Sequence, residues 1–101
     1  MDIKQLTEEM NALVRSKGWY EADSKRPQTP RNLAISLAVE AAEILEHFQF
    51  QENAREKDEL AGELADVALY LLQLASVTDI DLEKAILEKI ETNKTRQWDQ
   101  E

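Results

Sequence analysis

Apolar residues return every three or four positions along most of the chain, which is the period of an amphipathic helix. Ile3, Leu6, Met10, Leu13 and Val14 trace one face, and Asp2 stands where an N-cap belongs. This predicts a first helix ending near Lys17 and Gly18. From Gly18 to Thr29 the period lapses into polar, turn-prone sequence closing in Pro27 and Pro30, so this stretch reads as a functional or packing loop. Thr29 followed by Pro30 is a helix start: the hydroxyl caps free amides, and proline at the first helical position sacrifices no hydrogen bond. The second helix is expected to run to about Gln49, with Leu33, Leu37, Ala41, Ile44, Leu45 and Phe48 as its stripe.

The segment QENAREKDE has no apolar period and reads as a connection. A third helix spans roughly Lys57 to Val77 with Leu60, Leu64, Val67, Leu71, Leu74 and Ala75 on one face. Asp79 or Asp81 caps a fourth, with Leu82, Ile86 and Ile90 inward, continuing to about Thr95; the tail RQWDQE is left outside it. Strand-like alternation and internal repeats are absent, so the fold class expected is all-α, a bundle of about four helices. Ile35, Val39 and Ala42 lie roughly opposite Leu37 and Ile44, and Leu69 lies opposite Leu71. Four helices leave little material to cover a second apolar face, which predicts a homo-oligomer, a dimer or a tetramer built as a dimer of dimers.

Composition narrows the function. The 101 residues suit one domain. A net charge of -9 repels phosphate backbones and anionic bilayers, so neither a nucleic-acid polymer nor a membrane is the expected partner. The chain has no cysteine, hence no disulfide and no thiolate metal site, and a cytoplasmic protein is expected. MDIKQLTEEM is acidic where an export signal is basic. The most apolar stretch, from Leu64 to Val77, falls short of the ~20 residues of a bilayer span. Two glycines are too few for a phosphate-cradling loop.

What the sequence offers chemically is carboxylate. EAAE at 40–43 and ELAD at 63–66 each place two acids on one helical face, beside an apolar stripe. At 100 degrees per residue Glu40 lies about 40 degrees from Ile44, and Glu63 about 20 from Leu74. These acids are therefore expected to be partly buried. Packing the two helices antiparallel would gather four carboxylates, whose repulsion calls for a hard divalent cation. Mg2+ suits such oxygens, with Mn2+ as a substitute, and takes its remaining ligands from phosphates. Glu8, Glu9, Glu56, Glu59, Glu88 and Glu91 read instead as solvent-facing.

EAAE, a 19-residue spacer (44–62), then ELAD followed by VALYLL resembles the MazG-type all-α nucleoside triphosphate pyrophosphohydrolases. The likeness runs from Trp19 through PRNLAISLAVEAAEILEHFQF and DELAGELADVALYLLQLA to NKTR, and PRNL, FQ and the Tyr70 position resemble the dCTP pyrophosphatase branch. The resemblance implies Mg2+-dependent cleavage between the α and β phosphates to a nucleoside monophosphate and pyrophosphate, serving nucleotide-pool control. By motif position Glu40, Glu43, Glu63 and Asp66 are the metal ligands. Glu43, pointing farther from the apolar stripe than Glu40, is the preferred general base because a base needs space for water.

Groups for the nucleotide follow. Tyr70 extends the acidic edge by a turn and by family position touches phosphate or sugar; Asn93 continues the inward series of the fourth helix and by family position contacts the nucleotide. Lys94 and Arg96 add positive charge beside it. Trp19 and Phe50, with Trp98 behind them, fall in or beside loops and suit base stacking. Arg31 and Asn32 open the second helix near amides able to receive an anion. His47 reads as peripheral. Gln28 stands where the dCTP-preferring branch often has histidine, and Phe50 where it has tryptophan; these departures bear on base preference, and no base is assigned. Two rival readings are a phosphoribosyl-ATP pyrophosphohydrolase-like enzyme and a noncatalytic helical module binding a partner helix.

Overall fold

The computed structural model describes residues 1–53 and 56–96. It holds four helices, α1 (Ile3–Ser16), α2 (Pro30–Glu46), α3 (Lys57–Val77) and α4 (Leu82–Thr95), with no strand among the described residues. The fold class is all-α, as the periodicity predicts.

The helix starts follow local chemistry. Asp2 Oδ1 accepts from the Gln5 amide at 2.8 Å while Gln5 Oε1 accepts from the Asp2 amide at 2.8 Å, a reciprocal capping box. Thr29 Oγ1 accepts from the Asn32 amide at 3.1 Å with Pro30 in the first turn. Asp81, not Asp79, caps α4, accepting from the Lys84 amide at 3.1 Å. Asp79 serves the preceding helix instead. Its φ is +58°, and the Asp79 and Ile80 amides donate back to Ser76 and Ala75, which closes α3 in a left-handed turn. Gly18, φ +70°, closes α1 the same way.

α2 stops at Glu46, three residues before the expected Gln49. The His47 and Phe48 amides bond to Ile44 and Leu45, three residues back, which tightens the last turn. This turn delivers the His47 side chain inward, where it is buried.

α2 and α3 form the most extensive helix pair, α1 lies on α3, and α4 rests mainly on α1. Met10, Val14 and Leu72 make the core cluster, with Ile3, Trp19, Tyr20 and Leu82 packed against it. The loop after Gly18 is thus partly a packing loop. Tyr20 Oη donates to Asn11 Oδ1 at 2.6 Å, and Asn11 Nδ2 donates to Ser76 Oγ at 3.0 Å, tying loop, α1 and α3 together.

The inward faces of α2 and α3 are rotated from those the apolar stripes predict. On α2, Ala41 and Leu45 are exposed, as is Phe48 just beyond it, while Ser36, Glu40 and Glu43 turn partly inward beside Leu33, Leu37 and Ile44. On α3, Leu64 and Leu71 are exposed, whereas Glu63 and Tyr70 are half-buried and Gln73 is buried. The α2–α3 seam is therefore lined with polar groups, and much of the apolar surface faces out. The expected four-helix bundle is accordingly open: α4 buries no residue, and Ile86 and Ile90 of its predicted inner face are exposed. The radius of gyration is 16.2 Å, against about 13 Å for a compact chain of this length.

The apolar stretch starting at Leu64, expected to be too short for a bilayer, belongs to a helix of 21 residues that by length and composition alone reaches the span of one. Glu63 and Asp66 lie near its middle, where an ionised side chain in lipid costs about 2.5–3.5 kcal/mol.

Candidate active site

α2 and α3 are joined by a short connection and pack antiparallel, so residues early in one face residues late in the other. His47 at the end of α2 meets Glu63 near the start of α3, its Nε2 2.7 Å from Glu63 Oε2. Nearer the middle, Glu40 and Asp66 line one cleft together with Trp19, Leu69, Tyr70 and Gln73. Glu43 and Glu63 line the next, with Glu46, His47, Glu56 and Glu59. The two acidic motifs thus come from facing helices, as the antiparallel packing requires. Glu40, Glu43 and Glu63 are partly buried as expected, and Asp66 is exposed.

Electrostatics joins the four acids. Burial pushes the pKa of Glu40 above its ordinary value, and the charges of Glu43, Asp66 and Glu63, with a hydrogen bond to Glu43, push it the same way. Such crowding of like charge is what a cation relieves. Among the described residues no three His, Asp or Glu side chains are close enough together to hold a metal ion. The donor chemistry fits a hard divalent cation, since all four groups are carboxylates on facing helices, and ligation requires their side chains to draw together around it.

Beside the acids lies a cleft of about 350 Å³ lined by Trp19, Arg26, Pro27, Gln28, Asn32, Leu33, Ser36, Tyr70 and Gln73. The loop is folded to build it. The Arg26 guanidinium lies 5.6 Å from the centre of the Trp19 ring. Gln73 Nε2 donates to Gln28 Oε1 at 2.5 Å, clamping the loop on α3. Asn32 Nδ2 donates to the Pro27 carbonyl at 3.1 Å, which holds the loop against the start of α2. Trp19 and Tyr70 line both this cleft and the one containing Glu40 and Asp66, so an aromatic, carboxamide-rich wall adjoins the carboxylates.

Of the residues singled out from sequence, Trp19 and Tyr70 line the cleft with Glu40 and Asp66, and Asn32 lines only the adjoining one. Arg31 is exposed and lines neither cleft. Phe50 is 89% exposed beyond the end of α2, because the helix ends early and the chain turns away. Asn93 and Lys94 are on α4 and Arg96 is its C-cap; none of the three lines a cleft around the acids. Lys94 Nζ is 2.7 Å from Glu91 Oε1, and Asn93 Oδ1 is buried without a hydrogen-bond partner among the described residues. Trp98 lies outside the described residues. The sequence reading missed His47, which is central rather than peripheral, and also Arg26 and Gln73. The signal for His47 was its position four residues after Glu43, on the same face. For Gln73 it was a carboxamide in an otherwise apolar run.

Comparison with known proteins places this geometry. The MazG-like family model matches residues 35–101. The dCTP pyrophosphatase 1 proteins of Rattus norvegicus and Homo sapiens are each 34% identical to the chain over 94% of its length. The match covers 56% of each of those proteins, so the chain spans little more than half their length. The crystal structure of a pyrophosphatase from Archaeoglobus fulgidus DSM 4304 superposes with a TM-score of 0.77 at 33% identity, covering 94% of this chain and 93% of that one. With the paired acidic motifs on facing helices inside the matched region, the chain belongs to the MazG-like family.

Proposed function

We propose that the chain is a divalent-metal-dependent nucleoside triphosphate pyrophosphohydrolase, cleaving (deoxy)nucleoside triphosphates between the α and β phosphates to a monophosphate and pyrophosphate. The observation that carries this reading is that the two acidic motifs, Glu40 and Glu43 on α2 and Glu63 and Asp66 on α3, line neighbouring clefts between facing helices. An anionic cluster beside an aromatic cleft is a poor place for a triphosphate unless a cation stands between them.

Glu40, Glu43, Glu63 and Asp66 are the oxygen donors that would hold Mg2+, or Mn2+ in its stead. A bound cation of this kind neutralises phosphate charge and makes a coordinated water more acidic. Glu43, in the acid-lined cleft, takes the proton from the attacking water as general base. Trp19 and Tyr70 offer aromatic faces to the nucleoside, and Asn32 hydrogen-bonding capacity beside them. The names of the relatives make dCTP the first triphosphate to try, and nucleotide-pool control in the cytoplasm is the corresponding role.

The assembly proposed is a homo-oligomer, a dimer or a dimer of dimers. Ile35, Val39, Leu69 and Leu71 are all at least 40% exposed, a large apolar surface for a single chain to leave in water. In such an assembly the sites are expected near the subunit interfaces.

The test is release of pyrophosphate from a panel of common NTPs and dNTPs, with Mg2+ and with chelator, the nucleotide product being identified. Monophosphate and pyrophosphate in equal amounts, lost on chelation, are expected. Diphosphate with orthophosphate, or turnover that persists in chelator, would contradict the reaction proposed.

A further inference from the structure

His47 is the sole histidine of the chain and is 6% exposed. Its Nε2 is engaged with Glu63 Oε2, while its Nδ1 is buried with no hydrogen-bond partner among the described residues. A carboxylate oxygen accepts, so in this contact the Nε2–H is the donor and Glu63 the acceptor. A residue kept at this position for packing alone would be better as an apolar side chain, which orphans no polar atom. The contact that sets histidine apart there is the one to Glu63. It crosses from the C-cap of α2 to α3, and both residues line the cleft that Glu43 also lines.

Glutamate has three side-chain torsions to lose when it ligates a cation. A donor fixed on the opposite helix removes that freedom in advance, holding one oxygen and leaving the other to the cation. We propose that His47 is a positioning residue for metal capture, acting through the Nε2–H hydrogen bond that presets the Glu63 carboxylate. The inference rests on the metal site proposed above.

Mn2+ serves as the probe, its free concentration read by electron paramagnetic resonance, with His47→Leu and His47→Gln compared against wild type. Leucine fills the space without a donor; the glutamine amide reaches about as far as Nε2 and donates. The dissociation constant for Mn2+ rises ten- to hundredfold in His47→Leu, and most of this is recovered in His47→Gln. The half-saturating metal concentration for turnover shifts by the same factor, with kcat at saturating metal largely kept. Far-UV circular dichroism checks that each variant is folded. Wild-type affinity in His47→Leu, or a His47→Gln as weak as His47→Leu, overturns the role of the hydrogen bond while leaving the metal site standing. Failure of the wild type itself to bind Mn2+ overturns both.

Discussion

At the scale of single residues, the site trades stability for function. Glu40 sits among three other acids, so Glu40→Gln should relieve repulsion in the metal-free protein. The gain expected from one screened like-charge pair is about 0.5 kcal/mol, or roughly 2–4 °C in chelator. The same variant should lose the stabilisation that added Mg2+ gives the wild type. Thermal melts with and without Mg2+ check both; an unchanged metal response would remove Glu40 from the ligand set. Tyr20 gives a separate pH signature. Burial raises its pKa above the ordinary 10.0 by more than its Gln73 hydrogen bond and the Arg15 charge lower it. The protonated hydroxyl is thus the form the fold favours: its contribution is whole below pH 10.0 and is lost as pH rises through the raised pKa. Tyr20→Phe should be less stable at neutral pH, having lost the bond to Asn11, and should lose less than the wild type in alkaline melts. The four acids were readable because two three-residue spacings on consecutive helices are a local pattern. The His47–Glu63 bond was not, because it spans 16 positions and depends on how α2 ends.

At the scale of elements, caps and breaks were the most readable features. Asp2, Thr29 with Pro30, and Asp81 are local donors and acceptors acting within a turn of themselves. The exception is Asp79, whose left-handed backbone glycine would take without strain. Asp79→Gly should therefore stabilise the fold by about 1 kcal/mol, read as a higher midpoint in urea; a loss of stability would mean that the aspartate side chain matters more than the turn. Helix faces were less readable than helix ends. An apolar stripe predicts the buried side only when one side is buried. In α2 and α3 the seam carries Glu40, Glu43, Glu63, Tyr70 and Gln73, while Leu45, Leu64 and Leu71 face outward. Periodicity counts apolar residues without knowing which of two faces belongs to the chain's own seam.

At the scale of the molecule, a radius of gyration of 16.2 Å and an α4 with no buried residue describe an open chain with exposed apolar surface, on which the proposed oligomer rests. Light scattering after size exclusion should give a dimer or tetramer. Val39→Asp, which places a charge where the side chain is 54% exposed in the single chain, should shift it toward monomer with helicity kept. An unshifted mass would place the interface elsewhere. The rotated faces and the second apolar surface are thus linked: Glu40, Glu43 and Glu63 share the inner seam with Leu33, Leu37 and Ile44, and Leu45, Leu64 and Leu71 are left facing out. The measurement that tests the account most directly is pyrophosphate release by Glu43→Ala and Asp66→Ala, one acid from each helix, beside the wild type. The account predicts turnover at least about a hundredfold lower in both with far-UV circular dichroism unchanged, and wild-type turnover in both would contradict it.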